Sequence, residues 1–273
     1  MKQFLLNKEP DKDNIVRLEG SDYRYLVRVR RLAAGEFFPA LLPNGEETLV
    51  QVLFIDHCVL TGKCVSSSNN PPSLCETASG LIPPIIMFQA MPKGEKMNLI
   101  VRQAAECGIS EIVPFVSEFS IGKINIEGQK FSRWNRIIKE ARQQSGSKII
   151  TTIRPLLTIN ALFDYWKNLK EAGALGVLFH HEQSEVQQRG LENKSLHGYL
   201  DIIPRIVALV IGPEGGFSNR EAVLFMDNGF KPITIGDTVL RKETAAVFCA
   251  AAIRILLLER KSWELKQMNP CSA

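Results

Sequence analysis

The chain has 273 residues, enough for one large or two ordinary domains, and its 45% apolar and 23% charged content is that of a folded globular protein. Its net charge of +4 permits an acidic partner such as RNA without requiring one. No apolar run is long enough to span a membrane, and the N-terminal apolar stretch is too short for a signal peptide. The six cysteines include no CxxC pair, so we expect a reduced cytoplasmic protein without a bound metal.

Short β-type segments dominate the first part of the chain. Residues 49–55 and 59–65 are strand-like, and turn residues separate such segments at strand-length spacing. A stretch rich in serine, asparagine and proline follows, with the composition of a linker. We therefore predict a small β-barrel or sandwich domain at residues 1–72, a linker at 73–84 and a second domain at 85–273.

The second domain alternates between strand and helix patterns. Apolar runs predict strands at residues 85–90, 112–116, 149–153, 175–179, 206–211 and 233–235. Helical periodicity predicts helices at residues 96–107, 132–144, 160–172, 218–228 and 242–258, the last of them largely apolar and buried. Asn160 is the predicted N-cap of the third of these helices, and glycines end four of them. Such alternation predicts an α/β fold with a mostly parallel sheet covered on both faces.

A glycine-rich bend is the most informative local feature. Residues 211–217 (IGPEGGF) follow a predicted buried strand, and Ser218 with Glu221 predicts an N-cap and capping box for the next helix. Glycines allow the backbone to approach a ligand closely, because they carry no Cβ. The bend is neither a Walker A loop nor a GxGxxG fingerprint, so a ligand other than a nucleoside triphosphate or a dinucleotide is predicted.

Two further loops follow predicted strands in the same way. One comprises residues 235–245 (IGDTVLRKETA), and the other comprises residues 180–184 (HHEQS). In open α/β sheets, ligands bind beyond the carboxyl ends of the strands. The three loops therefore predict one shared pocket.

These segments carry a family resemblance. Residues 211–218 with Glu221, followed by residues 240–245 (LRKETA), resemble the paired motifs of the SPOUT class of S-adenosylmethionine-dependent RNA methyltransferases. Within that class the chain is most similar to the RsmE family, which methylates N3 of a uridine in 16S ribosomal RNA. Residues 91–94 (MPKG) and 102–109 (RQAAECGI) are similar to the first turn and helix of that family.

Two looser similarities and two departures complete the comparison with the RsmE family. Residues 133–146 are similar to its second helix, and residues 27–36 to the start of its PUA-like barrel. Residues 147–148 (SK) stand where the family usually has an arginine, and Cys107 stands where leucine is usual. Lysine can replace the charge of that arginine but not its planar fork of donors.

The resemblance implies both architecture and activity. It implies a SPOUT-type, mostly parallel sheet with a C-terminal trefoil knot, preceded by a small PUA-like, RNA-binding β-barrel. It also implies a homodimer that uses S-adenosylmethionine to methylate 16S rRNA in the small ribosomal subunit. The residues implied to bind the cofactor are Leu178, His180, Ile211, Gly212, Pro213, Gly215, Gly216, Ile235, Gly236, Val239, Leu240, Thr244 and Ala245.

The chemistry of N3 methylation suggests roles for charged residues near the loops. Uracil N3 is a weak nucleophile until its proton leaves, so the reaction needs a base or a cation that stabilises the developing anion. Arg241 is the first candidate for the cation. Glu214, Glu243 and His181 are candidate bases, and the sequence leaves the choice open, since Glu214 and Glu243 could equally be structural.

Two groups of basic residues are candidates for RNA contact. For the first, the resemblance to an RNA-binding PUA-like barrel favours RNA contact, whereas for the second a solvated helix face is an equally simple interpretation. The first lies beside Tyr23 and Tyr25 and comprises Arg24, Arg28, Arg30 and Arg31. The second recurs along one predicted helix and comprises Lys130, Arg133, Arg136, Lys139 and Arg142. Lys93 and Lys148 complete the candidates.

Two other functions remain open from the sequence. A different SPOUT enzyme, such as a ribose 2′-O-methyltransferase acting on transfer RNA, would share the glycine bends. A non-catalytic protein that binds ribosomal RNA or assists ribosome assembly would keep the barrel, but would not need both bends intact.

Overall fold

A computed structural model describes residues 3–65, 82–120, 128–179, 195–234 and 238–268 of the chain. The chain divides into two compact units, Met1–Cys75 with Lys139–Ile150, and Glu76–Ile138 with Thr151–Ala273. The predicted N-terminal domain at residues 1–72 did not include the second segment of the first unit. Most of the predicted linker lies outside the described residues.

A five-stranded sheet forms the first unit. Its strands are β1 (Phe4–Leu5), β2 (Ile15–Glu19), β3 (Phe37–Leu41), β4 (Glu47–Asp56) and β5 (Val59–Val65). They lie in the order β1-β3-β4-β5-β2, with β1 parallel to β3 and the other pairs antiparallel. Helix α1 (Gly20–Tyr23) and a π-helical turn (Arg24–Val29) follow β2.

The core of the first unit lies on one face of this sheet. Alternate residues point inward, so that Phe38, Val50 and Leu60 are fully buried. Tyr23 and Tyr25 also pack in this core, and the ring of Tyr25 stacks on Phe4 at 6.4 Å between centroids. Tyr23, the last residue of α1, is therefore buried, and Tyr25, in the π-helical turn, is partly buried, so the two rings contribute less to the surface beside the arginines than the sequence suggests.

A six-stranded, entirely parallel sheet forms the second unit, which confirms the predicted α/β class. Its strands are β6 (Ile85–Ala90), β7 (Glu111–Phe115), β8 (Thr152–Ile153), β9 (Ala174–Phe179), β10 (Ile206–Ile211) and β11 (Lys231–Ile233), in the order β11-β9-β10-β6-β7-β8. The helices of this part of the chain are α2 (Lys96–Glu106), α3 (Gly128–Ser145), α4 (Ile159–Glu171), α5 (Leu196–Tyr199), α6 (Asn219–Asp227) and α7 (Lys242–Met268). From Lys139 onward, α3 belongs to the first unit.

Helices cover both faces of the parallel sheet. Helices α4 and α6 pack on one face, where Phe88, Trp166 and Phe225 anchor an aromatic cluster. Each such side chain contributes roughly 2–3 kcal/mol by leaving water. Helices α2 and α7 pack together, and α7 packs on β10. None of the helices within the described ranges combines the length and apolarity that crossing a membrane requires.

Most predicted elements are confirmed, and the errors fall at element ends. Thr158, not Asn160, caps α4, because its side chain accepts the Ala161 N–H at 3.3 Å. Strand β8 is shorter than predicted, since only Thr152 and Ile153 pair with β7. Strand β11 lies two residues earlier than predicted, where it pairs with β9. Helix α7 is not buried all round, since Phe248 and Ile255 are each more than half exposed.

Candidate active site at the carboxyl ends of the central strands

The three predicted loops leave three neighbouring strands. Strand β9 lies between β11 and β10, and Leu178 at its end pairs with Val210 of β10. Because all three strands are parallel, their carboxyl ends open at one edge of the sheet, as ligand sites in this class of fold require. His180, His181, Ile235 and Gly236 lie outside the described residues.

The glycine bend after β10 is tightly folded. A Cβ added at Gly212 would lie 3.1 Å from the ring of Phe217, which is itself stacked on Phe115. The Gly216 N–H donates to the Pro213 carbonyl at 2.9 Å, and Gly216 has a φ of +75°, which favours glycine. The bend therefore depends on glycine at two positions, for close packing at one and for backbone conformation at the other.

The predicted capping box fixes the start of α6. The Ser218 hydroxyl accepts the Glu221 N–H at 3.2 Å, and the Glu221 carboxylate accepts the Ser218 N–H at 3.2 Å. This buried carboxylate also accepts the Glu118 N–H at 2.7 Å. The Ser218 hydroxyl donates to the Glu118 carboxylate at 2.6 Å. The loop after β7 is thus tied to the bend after β10.

Glu214, a candidate base, is hydrogen-bonded by the loop after β6 and by the first residue of α2. Its carboxylate accepts the Lys93 N–H at 3.1 Å and the Lys96 ammonium at 2.9 Å. Burial raises the pKa of Glu214, but the hydrogen bonds from Lys96 and the backbone outweigh it, so the net pKa is lowered. We call this arrangement the Glu214 clasp; it makes Glu214 a poor proton acceptor.

The lowered pKa of Glu214 also sets the pH range in which the clasp stabilises the fold. A carboxyl with a lower pKa in the folded state contributes stability above its unfolded pKa of about 4.3. That contribution is lost as the pH falls through the folded pKa. It is small, because the Lys96 side chain is 42% exposed and solvent screens the pair.

The loop before α7 carries charges of both signs. Arg241 is exposed, and its carbonyl accepts the Ala245 N–H at 2.7 Å, so Arg241 stands at the start of the helix. Burial lowers the pKa of Lys242, although the Glu214 charge opposes this shift. One carboxylate oxygen of Glu243, Oε2, is buried without a partner among the described residues. A buried acceptor without a donor is costly, so a ligand that donates a hydrogen bond here would be favoured.

The remaining candidate cofactor residues differ in exposure. Buried ones lie at strand ends and in the bend or helix that follows: Leu178, Ile211, Gly212, Pro213 and Ala245. Partly buried or exposed ones lie along the loops: Gly215, Gly216, Val239, Leu240 and Thr244. Val239 is 72% exposed, which is unusual for an apolar side chain. The buried set can shape the floor of a site, and the exposed set can contact a ligand above it.

Two candidate RNA-contacting groups have different exposure. Arg24, Arg28, Arg30 and Arg31 are all exposed on the π-helical turn and the residues after it. On α3, Lys130, Arg133 and Arg136 are exposed, although Arg133 pairs with Glu95 at 2.9 Å. The predicted basic row along α3 is not exposed throughout, because Lys139 and Arg142 are partly buried.

Three candidate basic residues of the first unit are partly buried or paired within it. Lys139 donates to Asp22 at 2.9 Å and lies 5.5 Å from the Phe4 ring centroid. The Nε of Arg142 is buried and lacks a partner among the described residues, and burial lowers the pKa of this guanidinium. Lys148 pairs with Glu47 at 3.3 Å and is 18% exposed. Lys93 is exposed.

Gln89 is a site residue that sequence reasoning missed. It is fully buried at the carboxyl end of β6, beside Ile211 of β10. Its side-chain nitrogen donates to the Ala90 carbonyl at 2.8 Å, whereas its Oε1 lacks a partner within the described ranges. The sequence did offer a signal for Gln89, since it is the single polar residue in the otherwise apolar run 85–90. Lys96 and Lys242 were also missed, because only the fold brings them near Glu214.

Potential metal-ligating side chains do not cluster in the part of the chain that the structure describes. No group of three or more His, Cys, Asp or Glu side chains there could hold a metal ion. The charged residues beside the bends are instead Lys96, Glu214, Arg241, Lys242 and Glu243.

Comparison with known proteins agrees with this geometry. The model of the RNA methyltransferase domain family matches residues 81–254. Ribosomal RNA small subunit methyltransferase E of Aquifex aeolicus is 32% identical over 243 residues, which cover 88% of this chain and 93% of that protein. The second such enzyme of Borreliella burgdorferi is 28% identical over 260 residues, covering 94% and 98%.

A solved structure shows the same fold. The crystal structure of ribosomal RNA small subunit methyltransferase E from Neisseria gonorrhoeae, bound to S-adenosyl methionine, has a TM-score of 0.75 and 20% identity. It covers 94% of this chain and 98% of its own. The likeness extends over both units of the chain, and the domain match spans the loops described above. The chain therefore belongs to the RNA methyltransferases of the ribosomal RNA small subunit methyltransferase E family.

Proposed function

We propose that this protein uses S-adenosylmethionine to methylate N3 of a specific uridine in 16S ribosomal RNA of the small ribosomal subunit. One observation carries the proposal: the strands that precede the three predicted loops are parallel neighbours, and charged residues of the family's motifs lie at the bend after β10 and at the start of α7. The relatives named above support the RNA substrate, and the solved neighbour bound to S-adenosyl methionine supports the cofactor.

The residues of the site fit this cofactor. Gly212 and Gly216 allow the bend to present backbone groups without an intervening Cβ. The buried acceptor Gln89 Oε1 lacks a donor within the described residues and suits a ligand that carries amino groups. We propose that the candidate cofactor residues in these loops, including His180, Ile235 and Gly236, form the binding site.

The same residues suggest how the transfer is catalysed. When bound, S-adenosylmethionine supplies an electrophilic methyl group. Arg241 contacts a uracil oxygen and stabilises the negative charge that develops as the N3 proton leaves. Glu243 accepts that proton, because Oε2 lacks a partner among the described residues, whereas the carboxylate of Glu214 is held by the clasp. The packed floor of the bend excludes water.

Glu243→Gln is expected to lower kcat for methyl transfer about 100-fold or more, because the amide cannot accept the proton. Glu214→Gln serves as the matched control, since it removes a charge from the same site but not the proposed base. We expect it to lower kcat by less than about tenfold and to act mainly through the clasp. Equal losses of kcat in the two variants would show that Glu243 is not the base.

The solution state is proposed to be a homodimer. Phe248 and Ile255 of α7 are 51% and 53% exposed and lie seven residues apart, with Ala252 between them on the same helical face. Such an apolar stripe suits a partner copy, whose α7 would cover it. The chain mass is 30.5 kDa, so light scattering should give about 61 kDa, twice that value, for the wild type. Phe248→Glu should shift the mass towards the monomer, and an unchanged mass would exclude this face.

Further parts of the proposal concern topology and RNA contact. We propose that the C-terminal part of the second unit forms a trefoil knot and that the first unit is a PUA-like barrel.

The RNA-contacting residues are proposed to be Arg24, Arg28, Arg30, Arg31, Lys93, Arg133, Arg136, Arg142 and Lys148. The exposed arginines of the first unit are the strongest of these, since no described residue forms an ion pair with them. The protein would act in the cytoplasm, on ribosomal subunits.

The proposed function is tested by methyl transfer from labelled S-adenosylmethionine. The substrates are small ribosomal subunits from cells that lack the protein, with transfer RNA alongside. A methyl group on N3 blocks base pairing, so reverse transcription should stop at one uridine of the small-subunit RNA. Label in transfer RNA, or label that produces no stop, would instead identify a ribose methyltransferase. Cofactor binding without label in any RNA would favour a non-catalytic role.

A further inference from the structure

One face of the sheet in the first unit carries exposed side chains, and two of them are aromatic. Phe37 of β3 pairs with Gln51 of β4, which pairs with Lys63 of β5. In the next row, Phe54 of β4 pairs with Thr61 of β5, and Thr61 pairs with Arg17 of β2. Thr61 itself is only 5% exposed, so Phe54 and Arg17 are the exposed members of this row. We call these two rows the outer sheet face.

The position of the outer sheet face follows from strand alternation. Neighbours of these residues point to the core, where Phe38 and Leu60 are fully buried. A bulge in β4 between Val52 and Phe54 turns Phe54 outward. The two rows lie two residues apart on β5, which is about 7 Å. Each row therefore carries one aromatic ring and one cation.

Both rings of the outer sheet face are unusually exposed. Phe37 is 49% and Phe54 is 56% exposed, whereas Phe4 and Phe38 of the same unit are almost completely buried. Leu49 and Val65 extend the apolar area beside Phe37, at 38% and 39% exposure. An exposed aromatic patch of this kind marks a surface for binding rather than for folding.

The charge of the outer sheet face favours an anionic partner. Arg17 and Lys63 are exposed, and neither forms an ion pair with another residue that the structure describes. Acidic residues lie only towards the strand ends, where Glu19 and Asp56 flank one end. Glu47 lies at the other end and is already paired with Lys148. The middle of the face is thus aromatic and positively charged.

We propose that the outer sheet face binds unpaired nucleotides of ribosomal RNA, with bases stacked on Phe37 and Phe54 and phosphates held by Arg17 and Lys63. Aromatic rings on a sheet stack bases that are free of pairing, while duplex RNA hides its base faces. This binding surface is distinct from the arginines of the π-helical turn. The proposal rests on the proposed function, because it takes the substrate to be RNA.

The test measures binding of the full chain to labelled RNA by fluorescence anisotropy, without cofactor. A uridine-rich single strand of about 12 nucleotides is compared with a duplex of the same length. Phe37→Ala with Phe54→Ala should weaken single-strand binding about 10- to 100-fold, and should leave duplex binding within about twofold. Ile202→Ala, at an 85% exposed apolar residue of the second unit, is the matched control and should bind like the wild type.

A second variant separates stacking from folding. Phe54→Trp keeps an aromatic surface, so it should retain binding, and its fluorescence should be quenched when a base stacks on it. Unchanged single-strand affinity in the double alanine variant overturns the proposal, as does an equal loss for the duplex. A change of solution mass in that variant also overturns it, since the face would then join two copies. Absence of methyl transfer by the wild type would refute the proposed function but leave this binding result intact.

Discussion

Arg241→Ala is expected to lower kcat for methyl transfer about 100- to 1000-fold, because the variant loses the cation that stabilises the anion developing on the uracil. The side chain of Arg241 is exposed at the start of α7, so its removal should disturb packing little. We therefore expect the Kd for S-adenosylmethionine, measured by calorimetry, to stay within about threefold of the wild type.

The control for Arg241→Ala is Arg220→Ala, which removes an exposed arginine from α6. This variant should transfer methyl groups at the wild-type rate. Arg241→Lys keeps the charge but not the planar fork of donors, so an intermediate rate is expected if geometry matters. A full transfer rate in Arg241→Ala with intact cofactor binding would rule out the catalytic role of this arginine.

Gly212→Val is expected to have the largest effect on cofactor binding. A Cβ at this position would lie 3.1 Å from the Phe217 ring, and Phe217 cannot withdraw because it packs on Phe115 and Phe225. Overpacking of this kind costs about 1–3 kcal/mol of unfolding free energy. The bend must also move, so we expect the Kd for S-adenosylmethionine to rise more than about tenfold.

Gly215→Ala is the matched control, because a Cβ at this exposed position would meet Phe119 at an ordinary 3.4 Å. Its unfolding free energy, from denaturant titration, should fall by less than about 0.5 kcal/mol. Because Gly215 is itself a proposed cofactor residue, the cofactor affinity of this variant should fall, but by less than that of Gly212→Val, since the bend keeps its packing. If Gly212→Val bound the cofactor normally, the close packing of the bend would be irrelevant to the site.

Local patterns predicted the second unit well, because its elements are set by short-range physics. The run 206–210 is buried on both faces of a parallel sheet, so it is apolar throughout and is recognisable as a strand. Ser218 and Glu221 form the predicted capping box, since both partners lie within one helical turn. Glycines with positive φ end α2, α3, α4 and α6 for the same reason.

Prediction failed where the environment of a side chain is set by residues distant in the sequence. Thr158 and Asn160 are both residue types that favour the N-cap position, and Thr158 is the N-cap because α4 begins at Ile159. Lys139 was predicted on an open basic row, but Asp22 and Phe4, more than a hundred residues away, hold it. Tyr23 and Tyr25 lie beside the candidate arginines in the sequence, yet both rings pack against the core, Tyr23 buried at the end of α1 and Tyr25 partly buried in a π-helical turn that no periodicity indicates.

The sequence by itself determined the class of fold, the three loops and the family, because strand and helix periodicity, glycine bends and caps are local properties. Only the tertiary structure decided which charges are available for chemistry. It engaged Glu214 with Lys96 and left a carboxylate oxygen of Glu243 without a partner among the described residues. It also turned Phe37 and Phe54 outward, since strand register and a bulge set the face on which each ring lies.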